Sequence, residues 1–244
     1  MRNIKLLISY DGTAYHGFQI QKNAVTIQEM LETVLRSLTG EETAVTGCSR
    51  TDAGVHAVNY VCNFRSNTGI PCDKLPYALN TRLPEDISCM AAEEADEDFH
   101  ARFSAKSKIY VYKIYNAPLR NALRYKYSWH YPYKIDVNLM KQACGYLLGE
   151  HDFTAFMASG GQQKTTVKTI YSLEVSDSGH DIEIKIHANS YLYNMVRIIA
   201  GTLVYIGNGK IEPNELEDII KSGDRTRAGI TAPPQGLFLY KVFY

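Results

Sequence analysis

The chain has no uncharged apolar run approaching the roughly 18 residues that a membrane-spanning helix needs, although 45% of its 244 residues are hydrophobic. Its opening stretch, "MRNIKLLISYDG", turns polar after a short strand-like run, so no secretory signal is expected. Five cysteines (Cys48, Cys62, Cys72, Cys89, Cys144) are odd in number, scattered and never spaced CxxC. That pattern excludes a disulfide framework or zinc knuckle and predicts reduced thiols in a cytoplasm. The seven histidines form no HExxH or paired-ligand spacing, so no metal is expected. Low-complexity linkers and short-period repeats are missing too. What is present is the composition of an ordinary globular chain, 21% charged and long enough for one large domain or two smaller ones.

A net charge of zero argues at first against a nucleic-acid partner. The distribution argues otherwise. Arg102 to Ile135 holds eight Lys and Arg residues and no acid, while Glu85 to Asp98 holds seven acids and no base. Such segregation can give one basic and one acidic face, unless the blocks disperse on folding.

Periodicity predicts two α+β halves, residues 1–104 and 105–244. In the first, "RNIKLLISYD" is a strand, and "TIQEMLETVLRSLTG" is a helix capped by Thr26 and Glu29 and ended by Gly40. Strands near Glu42–Cys48 and Ala57–Arg65, a helix from near Pro71 and a strand near Ile87–Ala92 complete the split βαβ order of ferredoxin-like folds. In the second, "SKIYVYKIYN" is a strand, and Asp136 caps a helix through Leu148. Strands follow at Lys168–Val175 and "DIEIKIHA", then helices near Leu192–Ile206 and Pro213–Lys221, and a final strand "LFLYKVFY". Roughly the same order recurs, so a largely antiparallel sheet flanked by helices is expected.

Three features could carry chemistry. In "GCSRTDAGVHAV", Asp52 is either a turn former or an ionised carboxylate held by Arg50, able to act as nucleophile or base. His56 reads as a packing or hydrogen-bonding histidine. Arg197 is the single charge on the otherwise apolar "YLYNMVRIIAGTLVYI". It must snorkel to solvent or meet an anion, either a carboxylate or a phosphate. Tyr110, Tyr112, Tyr115, Tyr125, Tyr127, Tyr131 and Tyr133, with Trp129, all fall inside the acid-free basic block. Tyrosine suits any β-sheet, but rings interleaved with Lys and Arg also suit stacking on unpaired RNA bases.

Taken together, "RTDAGVHA", "KIYVYKIYN" and "SYLYNMVR", in that order, resemble the tRNA pseudouridine synthase A family. "SYDGTAYHGFQIQ", "DFHARFSAKSK", "LLGEHDFTAF" and "PPQGLFLYKVFY" extend the resemblance over nearly the whole chain. It implies the pseudouridine synthase fold and isomerisation of uridine to pseudouridine at positions 38, 39 and 40 of the tRNA anticodon stem-loop. It also implies no cofactor, and a cytoplasmic homodimer that cradles tRNA. Carried over by residue, it makes Asp52 the catalytic carboxylate, Arg197 its ion-pair partner, Tyr110 the ring stacked on the target base and Arg50 the base-flipping residue. Lys108, Lys113 and Arg102 are expected to contact the RNA. Ser49 stands where the family most often has glycine, which narrows the loop's backbone freedom. Two other classes remain to be separated: a non-catalytic RNA-binding protein of two RNP-like halves, and a glycosidase-like hydrolase, which would normally need two carboxylates.

Overall fold

A computed structural model of the protein describes residues 1–161 and 165–244. The chain forms two units, Met1–Lys106 with Phe238–Tyr244, and Ser107–Leu237. In the first, alternation in RNIKLLISY makes β1 (Arg2–Tyr10), whose Ile4, Leu6 and Ile8 are fully buried. Helix α1 (Ile27–Thr39) starts where the Thr26 hydroxyl accepts the Glu29 N–H and stops at Gly40, with φ 73°. It buries Ile27, Leu31, Val34 and Leu35. Strand β2 (Val45–Gly47) is shorter than expected, because Glu42 pairs with Arg36 at 2.8 Å instead of entering the sheet.

Strand β3 (His56–Ser66) runs antiparallel to β1, setting Phe64, Cys62 and Tyr60 opposite Ile4, Leu6 and Ile8. Helix α2 (Leu75–Asn80) begins after Pro71 rather than at it, since the N–H groups of Lys74 and Leu75 both turn back to the Pro71 carbonyl. Strand β4 (Ile87–Ala95) runs on past Ala92 to pair with β1. That extension brings Glu93 to Lys5 and Glu94 to Arg2, each at 2.8 Å. The acid-rich block is therefore partly neutralised by the neighbouring strand, and in this part the dispersal reading holds.

The second unit opens with β5 (Ser107–Tyr115), buried except for half-buried Ile109 and Tyr115 and exposed Lys113. Two short strands, β6 (Trp129–His130) and, after α3, β7 (Gly149–Asp152), were not expected, because two and four residues show no readable alternation. Helix α3 (Val137–Cys144) is capped by Asp136 as predicted but tightens into a 3-10 turn at Gly145–Leu147. Strands β8 (Val167–Ser178) and β9 (Asp181–Ala188) pair antiparallel, and β9 pairs antiparallel with β5. Tyr110, Tyr112 and Ile114 thereby face Ile186, Ile184 and Ile182. Helix α4 (Met195–Gly207) starts three residues later than predicted, because Asn194 takes a left-handed φ of 60°. Helix α5 (Glu215–Ser222) ends at Gly223.

The last strand, β10 (Leu237–Phe243), departs from the linear division at residue 104. It returns to the first unit and lies parallel to β3, Phe238 opposite His56 and Leu239 opposite Ala57. Apart from this pair and the parallel β5–β6 pair, the strand pairings named here are antiparallel. No helix among the described residues is long and apolar enough to cross a membrane.

Candidate active site

The loop Cys48–Val55 joins β2 to β3 and carries Asp52 at its turn. Backbone contacts hold it at several points. Fully buried Tyr60, stacked on Phe18 with ring centroids 4.3 Å apart, donates its hydroxyl to the Ser49 carbonyl and accepts the Ser49 N–H at 3.4 Å. Burial pushes the Tyr60 phenol far above its ordinary pKa, so the donor proton stays in place. Tyr10 Oη lies 3.0 Å from Thr51 Oγ1. The Gly54 N–H donates to the Tyr15 carbonyl, and the Val55 N–H closes the turn on the Asp52 carbonyl, each at 3.2 Å.

Gly17 presses against the loop backbone, where a Cβ would sit 2.1 Å from the Thr51 oxygen, and its φ is +85°. The segment Tyr10–Gly17 thus grips the Asp52 turn. This is the physical content of "SYDGTAYHGF", which the sequence alone marked only by resemblance. Below the loop, the Gly12 N–H donates to His56 Nδ1 at 3.1 Å, and Asp11 Oδ1 lies 3.1 Å from the same nitrogen. Together these two contacts fix the orientation of the His56 ring. His56, buried and stacked on Phe238, is a packing residue, as its sequence context indicated.

Asp52 is half-buried. Arg50 is exposed, and its guanidinium makes no hydrogen bond or ion pair among the described residues. The loop-closing Arg50–Asp52 pair allowed by the spacing does not form.

In the second unit, Tyr110 is 6% exposed and meets Tyr191 edge-on at 5.0 Å. The Tyr191 hydroxyl lies 2.9 Å from both the Lys108 and Ile186 carbonyls, a shared donor that ties it to β5 and β9. Arg197, in the first turn of α4, donates Nε to the Ala232 carbonyl at 2.7 Å and Nη1 to Asn194 Oδ1 at 2.8 Å. Ala232 returns its N–H to the Arg197 carbonyl. Neutral acceptors thus meet part of the guanidinium, a solution the sequence could not show.

The strap holding Ala232 is itself fixed. Arg225 donates to the Gly229 carbonyl and to Thr231 Oγ1, the Gly229 N–H donates to Thr202 Oγ1, and the Tyr112 hydroxyl donates to the Pro233 carbonyl. A Cβ on Gly229 would meet the Thr202 backbone at 2.5 Å.

The remaining expected contacts divide. Arg102 and Lys113 are exposed, whereas Lys108 is only 8% exposed. Within the basic block, Arg124 is paired with Asp181. Among the described residues no group of three or more His, Cys, Asp or Glu could hold a metal ion. Sequence reasoning missed Tyr60 and Tyr191, which act on backbone carbonyls distant in the chain, and Asn194 and Arg225, whose partners are near in sequence but follow no recognisable motif.

A family model described as tRNA pseudouridine synthase matches residues 6–104 and 143–244. The chain is 52% identical over 244 residues to "tRNA pseudouridine synthase A" of Thermoanaerobacter sp. (strain X514), covering 100% of both chains. It is 52% identical over 245 residues to the protein of that name from Ruminiclostridium cellulolyticum, again covering 100% of both. To "tRNA pseudouridine synthase A 2" of Clostridium perfringens it is 48% identical, with the same coverage. A solved structure titled "Crystal Structure of a Cbf5-Nop10-Gar1 Complex" aligns with 96% of this chain and 57% of that one at 11% identity and a TM-score of 0.34, too distant to carry an argument.

Proposed function

The chain belongs to the tRNA pseudouridine synthase family, isomerases that convert uridine to pseudouridine, and from that premise we propose that Asp52 is its catalytic carboxylate. The substrate is tRNA, at positions 38, 39 and 40 of the anticodon stem-loop. The protein works as a cytoplasmic homodimer without a cofactor. The reaction breaks the N1–C1′ bond, turns the uracil and forms the C5–C1′ bond. N1 gains a proton and C5 loses one, so nothing is oxidised or transferred. An anion beside the sugar and base is what this chemistry requires, as nucleophile at C1′ or C6 or as base at the ribose.

The observation that carries the reading is the grip on the Asp52 turn from Tyr10, Tyr15, Gly17 and Tyr60. A carboxylate on a half-exposed turn is ordinary. One whose backbone is fastened on both sides is positioned for a reaction. In this scheme Arg197 of the second unit neutralises Asp52, Tyr110 receives the flipped base and Arg50, with its guanidinium uncommitted, fills the gap left in the stack. Arg102 and Lys113 contact phosphates.

The test is tritium release from tRNA carrying 5-tritiated uridine, followed by chemical mapping of pseudouridine. Release with pseudouridine at positions 38–40 supports the proposal. Free uracil would make the protein a hydrolase, and binding without release would make it a non-catalytic RNA-binding protein.

A further inference from the structure

Beside the Asp52 loop, within the first unit, an open cleft of about 210 Å³ is lined by Phe18, Ser49, Arg50, His100, Arg102 and Phe103, among others. Phe103 is 76% exposed, far more than packing alone asks of a phenyl ring. Its ring lies 4.3 Å from that of His100, and the Arg102 guanidinium carbon is 5.7 Å from its centroid. His100 is held in one orientation. Its Nδ1 accepts the N–H groups of Arg102 and Phe103, at 3.2 and 3.3 Å, and its backbone N–H and C=O bond Ser104. A neutral ring whose Nδ1 accepts carries its proton on Nε2, and that donor has no partner among the described residues. Neither do the guanidiniums of Arg50 and Arg102, apart from Arg102's position against the Phe103 ring.

An exposed ring, two uncommitted guanidiniums and a fixed N–H donor, with no acid lining the cleft, match an unpaired nucleotide: a π-face, a phosphate and base-edge acceptors. We propose that this cleft is a second nucleotide subsite, which takes an unpaired neighbour of the target uridine, stacks its base on Phe103 and holds its phosphate with Arg102. The inference rests on the reading of the Asp52 loop as the site of isomerisation. Flipping the target breaks its stacking with its neighbours, and a platform for one of them offsets part of that cost. Stacking accepts any base, so the subsite selects an unpaired neighbour rather than a particular one.

The test uses RNA hairpins that contain one target uridine and one abasic nucleotide, walked through each position flanking it. On the intact hairpin, Phe103→Ala should raise KM about tenfold, within the range for one stacked base, and Phe103→Trp should restore it. At one abasic position the wild-type protein should suffer the same loss, and Phe103→Ala should add nothing to it. Arg102→Gln should lower the salt slope of binding by about one. A Phe103→Ala penalty that is absent, or unchanged at every abasic position, overturns the subsite. The same series, read as affinity with Asp52→Asn protein, separates this failure from the other. Tritium release by that variant would overturn the role of Asp52 while leaving the affinity pattern to decide the subsite.

Discussion

Asp52 is the residue on which the proposed chemistry turns, and its substitution separates catalysis from binding. Asp52→Asn should abolish tritium release while tRNA affinity falls by less than about tenfold, roughly 1.4 kcal/mol, because affinity rests on phosphate contacts spread over many side chains. Substantial turnover by the variant would remove Asp52 from the mechanism. The phenols of buried Tyr15, Tyr60 and Tyr112 and of half-buried Tyr191 and Tyr244 all have pKa values raised, desolvation being the main cause. Their ionisation is easier in the unfolded chain, so above the ordinary tyrosine value of about 10 the unfolded state holds fewer protons than the folded one. The stability they contribute is intact below that pH and is lost as pH rises through the folded values. Urea midpoints measured from pH 8 to 11 should be level at first and then fall; a midpoint still level at pH 11 would contradict the burial.

At the scale of elements, the strap from Arg225 to Pro234 decides where Arg197 points. It lies so close to α4 that Gly229→Ala places a Cβ 2.5 Å from the Thr202 backbone. The overpacking should lower stability by about 1–3 kcal/mol in urea unfolding. Because the strap supplies the Ala232 carbonyl to Arg197, activity should fall further than lost stability explains, even at temperatures where the variant is fully folded. Unchanged kcat in folded Gly229→Ala protein would show that the strap does not position the arginine.

For the whole molecule, the proposed Asp52–Arg197 pair makes a thermodynamic demand. Each single loss, Asp52→Ala or Arg197→Met, should destabilise the protein by leaving a charge poorly compensated, on the order of 3–5 kcal/mol for a fully buried pair and less here, since both residues are half-buried. The double variant should then be more stable than the sum of the two losses predicts. Additive losses in thermal or urea unfolding would send Arg197 to another anion, an RNA phosphate being the natural one. Binding of tRNA should also weaken steeply with added salt despite the net charge of zero. Lys5 and Arg2 neutralise Glu93 and Glu94, whereas Arg50 and Arg102 have no ion pair among the described residues, so local charge outweighs the total. A flat salt response would show that the exposed bases do not face RNA.

Local physics made much of this legible in the sequence. Alternation in β1 and β9, the Thr26 cap and Gly40 stop of α1, and the Asp136 cap of α3 each depend on residues within a turn or two of one another. The Asp52 turn was marked by its composition, and Arg197 by the anomaly of one charge on an apolar helix. Tertiary structure alone decided the rest. The grip of Tyr10, Gly17 and Tyr60 on the Asp52 turn, the return of β10 to β3, and the carbonyl of Ala232 beside Arg197 all join groups far apart in the chain. A strand's pattern states which face is apolar and not which neighbour it will meet. A lone arginine declares its need for acceptors, but only the folded chain determines which oxygen supplies them.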